Sequence, residues 1–269
     1  MNWPENLGGD VSEYGFDLSG QGALVTGGGR GIGKAISEAL LSAGARVVIF
    51  GRNEPEALPS AGGRTAEFIA CDIRDAAQAQ AKTAEAAQRL GRLDIVVNNA
   101  GGSPETPSAT ASPRLFERVV ALNLLAPFYI SQAANTVMQA QETGGHIINI
   151  GSVSGVRPSP GAAAYAAGKA GLINLTRTLA MEWGPKVRLN TLIVGLVDSG
   201  SGDDFYGEEG GAGRAAISAR IPMGRMATPK DVADTLMLLA SPLASYVSGT
   251  ELSVHGGGEP PGYIDLAKD

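Results

Sequence analysis

Tyr165 and Lys169 are placed for proton transfer. They stand four residues apart in AAAYAAGKAGLINLTRTLA, a run with the composition of a helix, so their side chains share one helix face. An ammonium group close to a phenol stabilises the phenolate and lowers the tyrosine pKa from about 10 towards working pH. The pair can therefore exchange a proton with the oxygen of an alcohol or a carbonyl.

Ser152 and Asn123 extend this candidate site. Ser152 follows the strand-like run HIINI and precedes Tyr165 by thirteen residues. Its hydroxyl can donate a hydrogen bond to the oxygen on which negative charge develops. Asn123 interrupts the apolar helical run VVALNLLAPF. Each residue alone also fits a plain structural role, as a surface pair, a serine beside a helix or a core asparagine, but together they favour acid–base chemistry.

A glycine-rich turn, ALVTGGGRGIGK (23–34), lies between a strand pattern and a helix pattern and predicts a phosphate-binding site. Glycines let the backbone approach a pyrophosphate, and the amides at the helix start bind it. The turn fits T-G-x-x-x-G-x-G, with Thr26, Gly27, Gly31 and Gly33. It fails the strict G-x-G-x-x-G motif at Ile32, and it fails the P-loop motif at Ala35, where a hydroxyl should hold Mg²⁺. Tight helix packing would explain one or two of these glycines, not five in seven positions.

Strand-like and helix-like segments alternate from residue 23 onwards. The predicted strands are 23–26, 46–50, 66–70, 93–98, 146–150, 188–193 and the run GTELSV, and the predicted helices are 32–43, 75–90, 113–141, 163–183 and 229–239. Strands that are apolar on both faces and separated by helices indicate βαβ units around a buried parallel sheet. Right-handed crossovers then predict an α/β fold of Rossmann type, a doubly wound parallel sheet of about seven strands with helices on both faces.

The pattern predicts one domain over residues 18–258, between an N-terminal leader (1–17) and a C-terminal tail (259–269). Residues 198–222, rich in glycine and acidic residues, break the alternation. A loop of this length in a compact domain is usually a functional lid or a mobile segment. We expect a lid, and a merely mobile excursion is the alternative.

Composition and charge exclude several classes. The 269 residues carry a net charge of −6, so no basic excess is present to bind nucleic acid or an anionic membrane. The single cysteine, Cys71, cannot form an internal disulfide, and with only His146 and His255 the chain lacks the ligands of a zinc module. No targeting segment and no apolar run of membrane-spanning length is visible, so we expect a cytoplasmic protein without a metal.

Together, the motifs resemble the short-chain dehydrogenase/reductase family. The resemblance runs from about Leu18 to Gly258 and rests on TGGGRGIG, CDI (71–73), NNAG (98–101), Asn123, Ser152 and Tyr165-x-x-x-Lys169, in the family's order and spacing. It implies a seven-stranded parallel sheet, a nicotinamide cofactor, and hydride exchange between that cofactor and a carbonyl/alcohol pair.

The expected catalytic residues are Asn123, Ser152, Tyr165 and Lys169. Tyr165 is the general acid/base, Lys169 lowers its pKa and Ser152 polarises the carbonyl. By the resemblance, Asn123 holds a water that links Lys169 to a proton relay, and the CDI motif borders the adenine. The expected cofactor-binding residues are Thr26, Gly27, Arg30, Gly31, Ile32, Gly33, Arg52, Asp72, Ile73, Asn99, Ala100, Gly101, Tyr165, Lys169, Val197 and Ser199.

The end of the second strand bears on the choice of cofactor. An acid there would bind the ribose hydroxyls and repel a 2′-phosphate, but RVVIF is followed by Gly51 and Arg52, with no acid before Glu54. Arg30, in the glycine turn, is a second cation near the expected 2′ position. Because arginine grips phosphate bidentately, we expect NADP(H). NAD is the alternative, with Arg52 then a plain surface residue.

The sequence therefore predicts an enzyme that exchanges a hydride between NADP(H) and a ketone or secondary alcohol. Two alternatives stay open: an NAD-preferring alcohol dehydrogenase of the same family, and a non-catalytic regulator that senses a dinucleotide, although a sensor needs no proton relay. The helices at 113–141 and 163–183 are apolar over more than one face, so we expect an oligomer, a homotetramer by the resemblance. Fold alone does not choose the small-molecule substrate.

Overall fold

The structure, a computed structural model, describes residues 15–199 and 211–259. Its strands are β1 (Gly22–Thr26), β2 (Arg46–Gly51), β3 (Ser60–Ala61), β4 (Arg64–Thr65), β5 (Glu67–Ala70), β6 (Ile95–Asn98), β7 (Gly145–Ile150), β8 (Val187–Val194) and β9 (Glu251–Val254). Seven of them form one parallel sheet in the order β5-β2-β1-β6-β7-β8-β9, and β3 pairs with β4 in a separate hairpin that the sequence did not predict. The chain winds outwards in both directions from β1 and β6, which confirms the predicted doubly wound fold.

Helices cover both faces of this sheet. They are α1 (Gly31–Ser42), α2 (Ala76–Leu90), α3 (Pro113–Val120), α4 (Ala126–Ala140), α5 (Ala163–Trp183), α6 (Ala212–Arg220) and α7 (Pro229–Ala240). On one face α1 and α7 pack against Val25 and Leu192, and on the other α2, α4 and α5 pack against Leu24 and Leu189. Successive strand residues enter opposite cores, which explains why these strands are apolar on both faces. Of the helices described, none is long and apolar enough to cross a bilayer.

The long helix predicted over 113–141 is interrupted. Residues Ala121–Leu125 form a π-helical turn between α3 and α4. At its centre the buried Asn123 donates from Nδ2 to the carbonyl oxygens of Val119 and Gly102, each at 2.9 Å. A side chain that bonds to the preceding turn of its own helix competes with the backbone hydrogen bonds, and π turns are frequent at functional sites. The prediction of one continuous α-helix is therefore wrong at its centre.

The stretch 198–222 is only partly the loop that the sequence predicts. Residues Ala212–Arg220 form α6, and the buried Arg214 of this helix forms an ion pair with Asp198. Residues 200–210 lie outside the described residues. The loop prediction is therefore wrong for α6, and the role of the stretch as a lid stays a prediction.

The buried His146 and the partly buried Arg188 form a polar pair at the amino ends of β7 and β8. Nη2 of Arg188 donates to Nδ1 of His146 at 3.1 Å, and Nε2 of the same ring lies 2.8 Å from Nδ2 of Asn190. Arg188 also donates to the carbonyl oxygens of Ala244 and Val247, which anchors the turn before β9. Burial, reinforced by the charge of Arg188, lowers the pKa of His146 well below its ordinary value of 6.5.

We predict that the free energy of unfolding falls as the pH is lowered from about 6.5 to about 5. In this range the unfolded chain takes up a proton on His146 and the folded chain does not, so the stability carried by the neutral imidazole is lost as the pH falls. Urea unfolding at several pH values measures the effect. The variant His146→Gln should show a smaller pH dependence in the same window, and an unchanged slope would assign the effect to other groups.

Candidate active site

The predicted site residues gather where the order of the strands reverses. β1 ends at Thr26, β6 at Asn98 and β7 at Ile150. These three strands are neighbours and parallel, so their carboxyl ends meet at one edge of the sheet. The first leads into the glycine turn, the second into the rest of NNAG and the third into Ser152. Ligands of open α/β sheets bind in the crevice at this edge.

The glycine turn is shaped for close approach of the backbone. Gly27 and Gly31 adopt positive φ angles of 64° and 50°, and a Cβ at Gly33 would collide with the carbonyl oxygen of Gly27. Within the described residues no side chain caps the start of α1, and its first turn holds no acid. The amides at this helix start therefore suit an anion such as a dinucleotide pyrophosphate, and the residues present fit a nicotinamide cofactor.

The loop after β6 is fastened to the glycine turn. The Thr26 hydroxyl accepts hydrogen bonds from the backbone N–H groups of Asn99, at 3.0 Å, and Ala100, at 3.1 Å. The Asn99 side chain donates from Nδ2 to the carbonyl oxygens of Thr26, at 3.0 Å, and Gly27, at 3.3 Å. Thr26 and Asn99 therefore hold together two segments that were both predicted to border the cofactor.

Four other predicted cofactor residues lie along the same edge of the sheet. Ile32 is in the first turn of α1, Ile73 is buried just after β5, and Val197 is buried just after β8, where it forms a β-bridge with Ala227. Ser199 lies beside the glycine turn, because a Cβ at Gly31 would be 3.8 Å from its Cβ. The crevice therefore extends from the end of β5 to the segment after β8.

Lys169 is buried, with 3% of its surface exposed, and its Nζ donates to the carbonyl oxygen of Ile150 at 2.7 Å. A Cβ at Gly101 would lie 3.2 Å from this Nζ and 2.7 Å from Oδ1 of Asn123, so both atoms border one small space. Only glycine at position 101 leaves that space open. Burial lowers the pKa of Lys169 to about 8, which brings its proton exchange close to neutral pH.

Tyr165 lies beside Lys169 on α5, with the lysine Nζ 5.6 Å from the centre of its ring. Burial raises the pKa of the Tyr165 phenol, and the hydrogen bond with Ser152 opposes that rise without cancelling it. In this structure the net shift of the Tyr165 pKa is therefore upward, against the expected lowering, because burial of the phenol dominates. The role of Lys169 towards a phenolate as it forms stays a prediction. A buried phenol stays protonated near neutral pH, as a proton donor must.

The predicted residues around the adenosine follow β1, β2 and β5. Arg30 and Arg52 are both exposed, and a Cβ at Gly29 would touch Pro55, so the glycine turn contacts the segment after β2. Asp72 is engaged by Arg74, which sequence analysis missed: Nε and Nη2 of Arg74 donate to its two carboxylate oxygens at 2.9 and 2.6 Å. The only sequence signal for this ion pair was that Asp72 and Arg74 stand two residues apart.

A buried polar network behind the site was also missed. Nδ2 of Asn98 donates to Oδ1 of Asn149 at 2.7 Å and to the hydroxyl of Ser131 at 2.9 Å. Nδ2 of Asn149 donates to the hydroxyl of Thr176 at 2.8 Å. These bonds tie the ends of β6 and β7 to α4 and α5, one residue before Asn99 and Ile150. An asparagine inside each of the apolar runs IVVN and IINI was the signal that could have found it.

We predict that Gly101→Ala lowers kcat/KM for ketone reduction at least about tenfold. The new Cβ would occupy the space between Asn123 and Lys169 and displace one of them. Gly101 has no positive φ, so its backbone accepts alanine, and the midpoint of thermal unfolding should stay within about 4 °C of wild type. Steady-state kinetics measure the effect. Wild-type kcat/KM in this variant would show that catalysis does not need the space between Asn123 and Lys169.

Comparison with known proteins places the chain in a family. A family model described as enoyl-(acyl carrier protein) reductase matches residues 27–259. The chain is 35% identical over 243 residues to the 3-oxoacyl-(acyl-carrier-protein) reductase of Rickettsia prowazekii, covering 90% of this chain and 98% of that protein. It is 39% identical over 251 residues to the 4-formylbenzenesulfonate dehydrogenase of Comamonas testosteroni, covering 90% and 99%.

A solved structure agrees with these relatives. The ligand-free aldohexose dehydrogenase of Thermoplasma acidophilum superposes with a TM-score of 0.81 at 27% identity, covering 92% of this chain and 95% of that one. The family model spans the glycines of the turn and the segment that holds Tyr165 and Lys169. Because the family model and the relatives cover most of its length, the chain belongs to the short-chain dehydrogenase/reductase family of nicotinamide-dependent oxidoreductases.

Proposed function

We propose that this protein exchanges a hydride between NADP(H) and a ketone or secondary alcohol, with reduction as the favoured direction. The observation that carries the proposal is the buried Lys169 amine, which shares a small space with Asn123 beside Tyr165. Burying an amine costs free energy, and a protein that only senses a dinucleotide would gain nothing from it. A proton-transfer site does gain, because burial brings the pKa of the amine close to neutral pH.

Ser152 and Tyr165 act on the substrate oxygen. The bound cofactor supplies the hydride that reduces the carbonyl carbon. The Ser152 hydroxyl donates a hydrogen bond to the oxygen as negative charge develops on it. Tyr165 transfers its phenolic proton to the same oxygen, and burial supports this direction because it keeps the phenol protonated.

Lys169 and Asn123 restore the proton that Tyr165 gives up. The lysine pKa of about 8 means that an ammonium is present at neutral pH to stabilise the phenolate as it forms. Oδ1 of Asn123 accepts a hydrogen bond from the Gly102 N–H at 3.0 Å and borders the same space as the lysine Nζ. A water in that space would receive hydrogen bonds from Lys169 and donate to Asn123, which continues the proton path.

The proposed preference for NADP(H) rests on charge. Arg30 and Arg52 are exposed beside the contact between the glycine turn and the segment after β2. Two guanidinium groups there favour a 2′-phosphate, which arginine can bind through two parallel hydrogen bonds.

We propose a substrate with an apolar portion. A cavity of about 410 Å³ lies between the segment after β6 and the start of α5, and Ala164, next to Tyr165, is part of its wall. Most of its lining is apolar, including Pro104, Leu115 and Phe116, and its one charged lining residue among those described is Glu117, which disfavours an anion. The relatives are named for substrates as different as a 3-oxoacyl-(acyl-carrier-protein) and 4-formylbenzenesulfonate, so we specify the class alone.

We also propose that the protein is a homotetramer. The outward face of α5 carries the exposed small residues Ala163, Ala167 and Ala170, and Met181 is exposed near the end of the helix. Leu125 is exposed at the π turn. Small side chains let two helices approach closely, so this face suits an isologous contact with a second copy.

Removing the phenol should abolish most of the chemistry. We predict that Tyr165→Phe lowers kcat/KM for ketone reduction more than about tenfold and leaves the Kd for NADP⁺ within about twofold. Tyr246→Phe is the matched control, because it removes the same hydroxyl from a fully exposed side chain and should keep wild-type activity. If Tyr165→Phe retained more than about a tenth of wild-type activity, its role as proton donor would be wrong.

Cofactor choice should follow Arg52. Arg52→Asp introduces an acceptor for the ribose hydroxyls and a charge that repels the 2′-phosphate. We predict that the preference for NADP⁺ over NAD⁺, measured as the ratio of Kd values, falls at least about tenfold, or about 1.4 kcal/mol. An unchanged ratio would leave Arg30 as the determinant.

Light scattering tests the oligomer. We predict a mass well above the 27.4 kDa of one chain in dilute solution, because the outward face of α5 needs a partner to be buried. A mass equal to that of one chain, independent of concentration, would refute the tetramer.

A further inference from the structure

Three charged side chains meet just after β2 and β5. The guanidinium group of Arg74 forms a bidentate ion pair with the Asp72 carboxylate, and the backbone N–H of Arg74 donates to the same carboxylate at 3.1 Å. The carboxylate is therefore held from several directions. Arg52 follows β2 on the neighbouring strand, and its charge also acts on Asp72.

The two arginines affect Asp72 to different degrees. The side-chain hydrogen bonds from Arg74 lower the pKa of Asp72 most, and the charge of Arg52 contributes a smaller lowering. Asp72 is therefore ionised at neutral pH, with Arg74 as its main counter-ion. Its side chain is about one-third exposed, and so is that of Arg74, so water and salt screen the pair only in part.

Arg74 affects the interaction between Asp72 and Arg52. An unpaired Asp72 carboxylate would attract the exposed Arg52 and would repel a phosphate placed between them. With Arg74 in place, the charge of Asp72 is neutralised locally, and both carboxylate oxygens already accept hydrogen bonds from Arg74. The attraction between Asp72 and Arg52 is therefore weakened.

We propose that Arg74 is a specificity-determining positioning residue: by holding Asp72, it keeps Arg52 available for the 2′-phosphate of NADP(H). This inference rests on the proposed preference for NADP(H). Arg74 acts through Asp72 and Arg52, so its effect should appear for the phosphorylated dinucleotide and not for NAD⁺.

The test is isothermal titration calorimetry of the full chain with NADP⁺ and with NAD⁺. In Arg74→Gln the Kd for NADP⁺ should rise about tenfold, and the Kd for NAD⁺ should stay within about twofold. Arg74→Lys keeps the positive charge but loses the bidentate hydrogen bonds, so its Kd for NADP⁺ should lie between those of wild type and Arg74→Gln. Arg64→Gln, which removes a positive charge from the exposed strand β4, should leave both Kd values unchanged.

The double variant Asp72→Asn/Arg74→Gln separates positioning from direct contact. If Arg74 acts by neutralising Asp72, removing both charges should bring the ratio of the NAD⁺ Kd to the NADP⁺ Kd back to within about threefold of wild type. The ratio is used because both dinucleotides share any contact of Asp72 with the adenine. Failure of this rescue, or an equal loss for both dinucleotides in Arg74→Gln, would overturn the inference. A wild-type protein that binds NAD⁺ more tightly than NADP⁺ would instead overturn the proposed cofactor preference, and the inference with it.

Discussion

The hydrogen bond from the buried Lys169 amine to the Ile150 carbonyl is the interaction on which the site depends. A buried amine is tolerated only where it finds acceptors, and here the acceptor is the last residue of β7. This bond fixes α5 against the end of the sheet and so brings Tyr165 to Ser152. The same arrangement requires glycine at position 101, because a Cβ there would crowd the lysine amine. Asn123 borders the same space from the π turn between α3 and α4.

The fold supplies the rigidity that this bond needs. Apolar residues alternate between two cores along each strand, so a register shift would move side chains between the α1/α7 face and the α2/α4/α5 face. The asparagines at 98 and 149 then lock β6 to β7 and α5 within the second core. Because these amide groups bond to specific partners, the network favours one arrangement of the strand ends over the alternatives. The catalytic and cofactor segments begin at the next residues along the chain.

Local patterns were sufficient to predict the sheet and the glycine turn, and with the family resemblance they singled out four candidate catalytic residues, whose roles stay predictions. The features that were missed depend on contacts distant in sequence. The π turn at Asn123 depends on Gly102, twenty-one residues away, and α6 is joined to Asp198 across residues outside the described ranges. The raised pKa of Tyr165 depends on burial, which the spacing of Tyr165 and Lys169 does not reveal. Arg74 and Asp72 are close in sequence, but only the structure brings Arg52 to them.

Transfer of deuterium from the cofactor to a ketone tests the central claim most directly. NADPH labelled with deuterium at both C4 positions of the nicotinamide would be incubated with the wild-type enzyme and a panel of apolar ketones. The account predicts a secondary alcohol with one deuterium on the carbinol carbon and none on the oxygen, because Tyr165 supplies a proton that exchanges with water. Tight binding of NADPH without labelled alcohol from any ketone would contradict the account and favour a protein that only senses the dinucleotide.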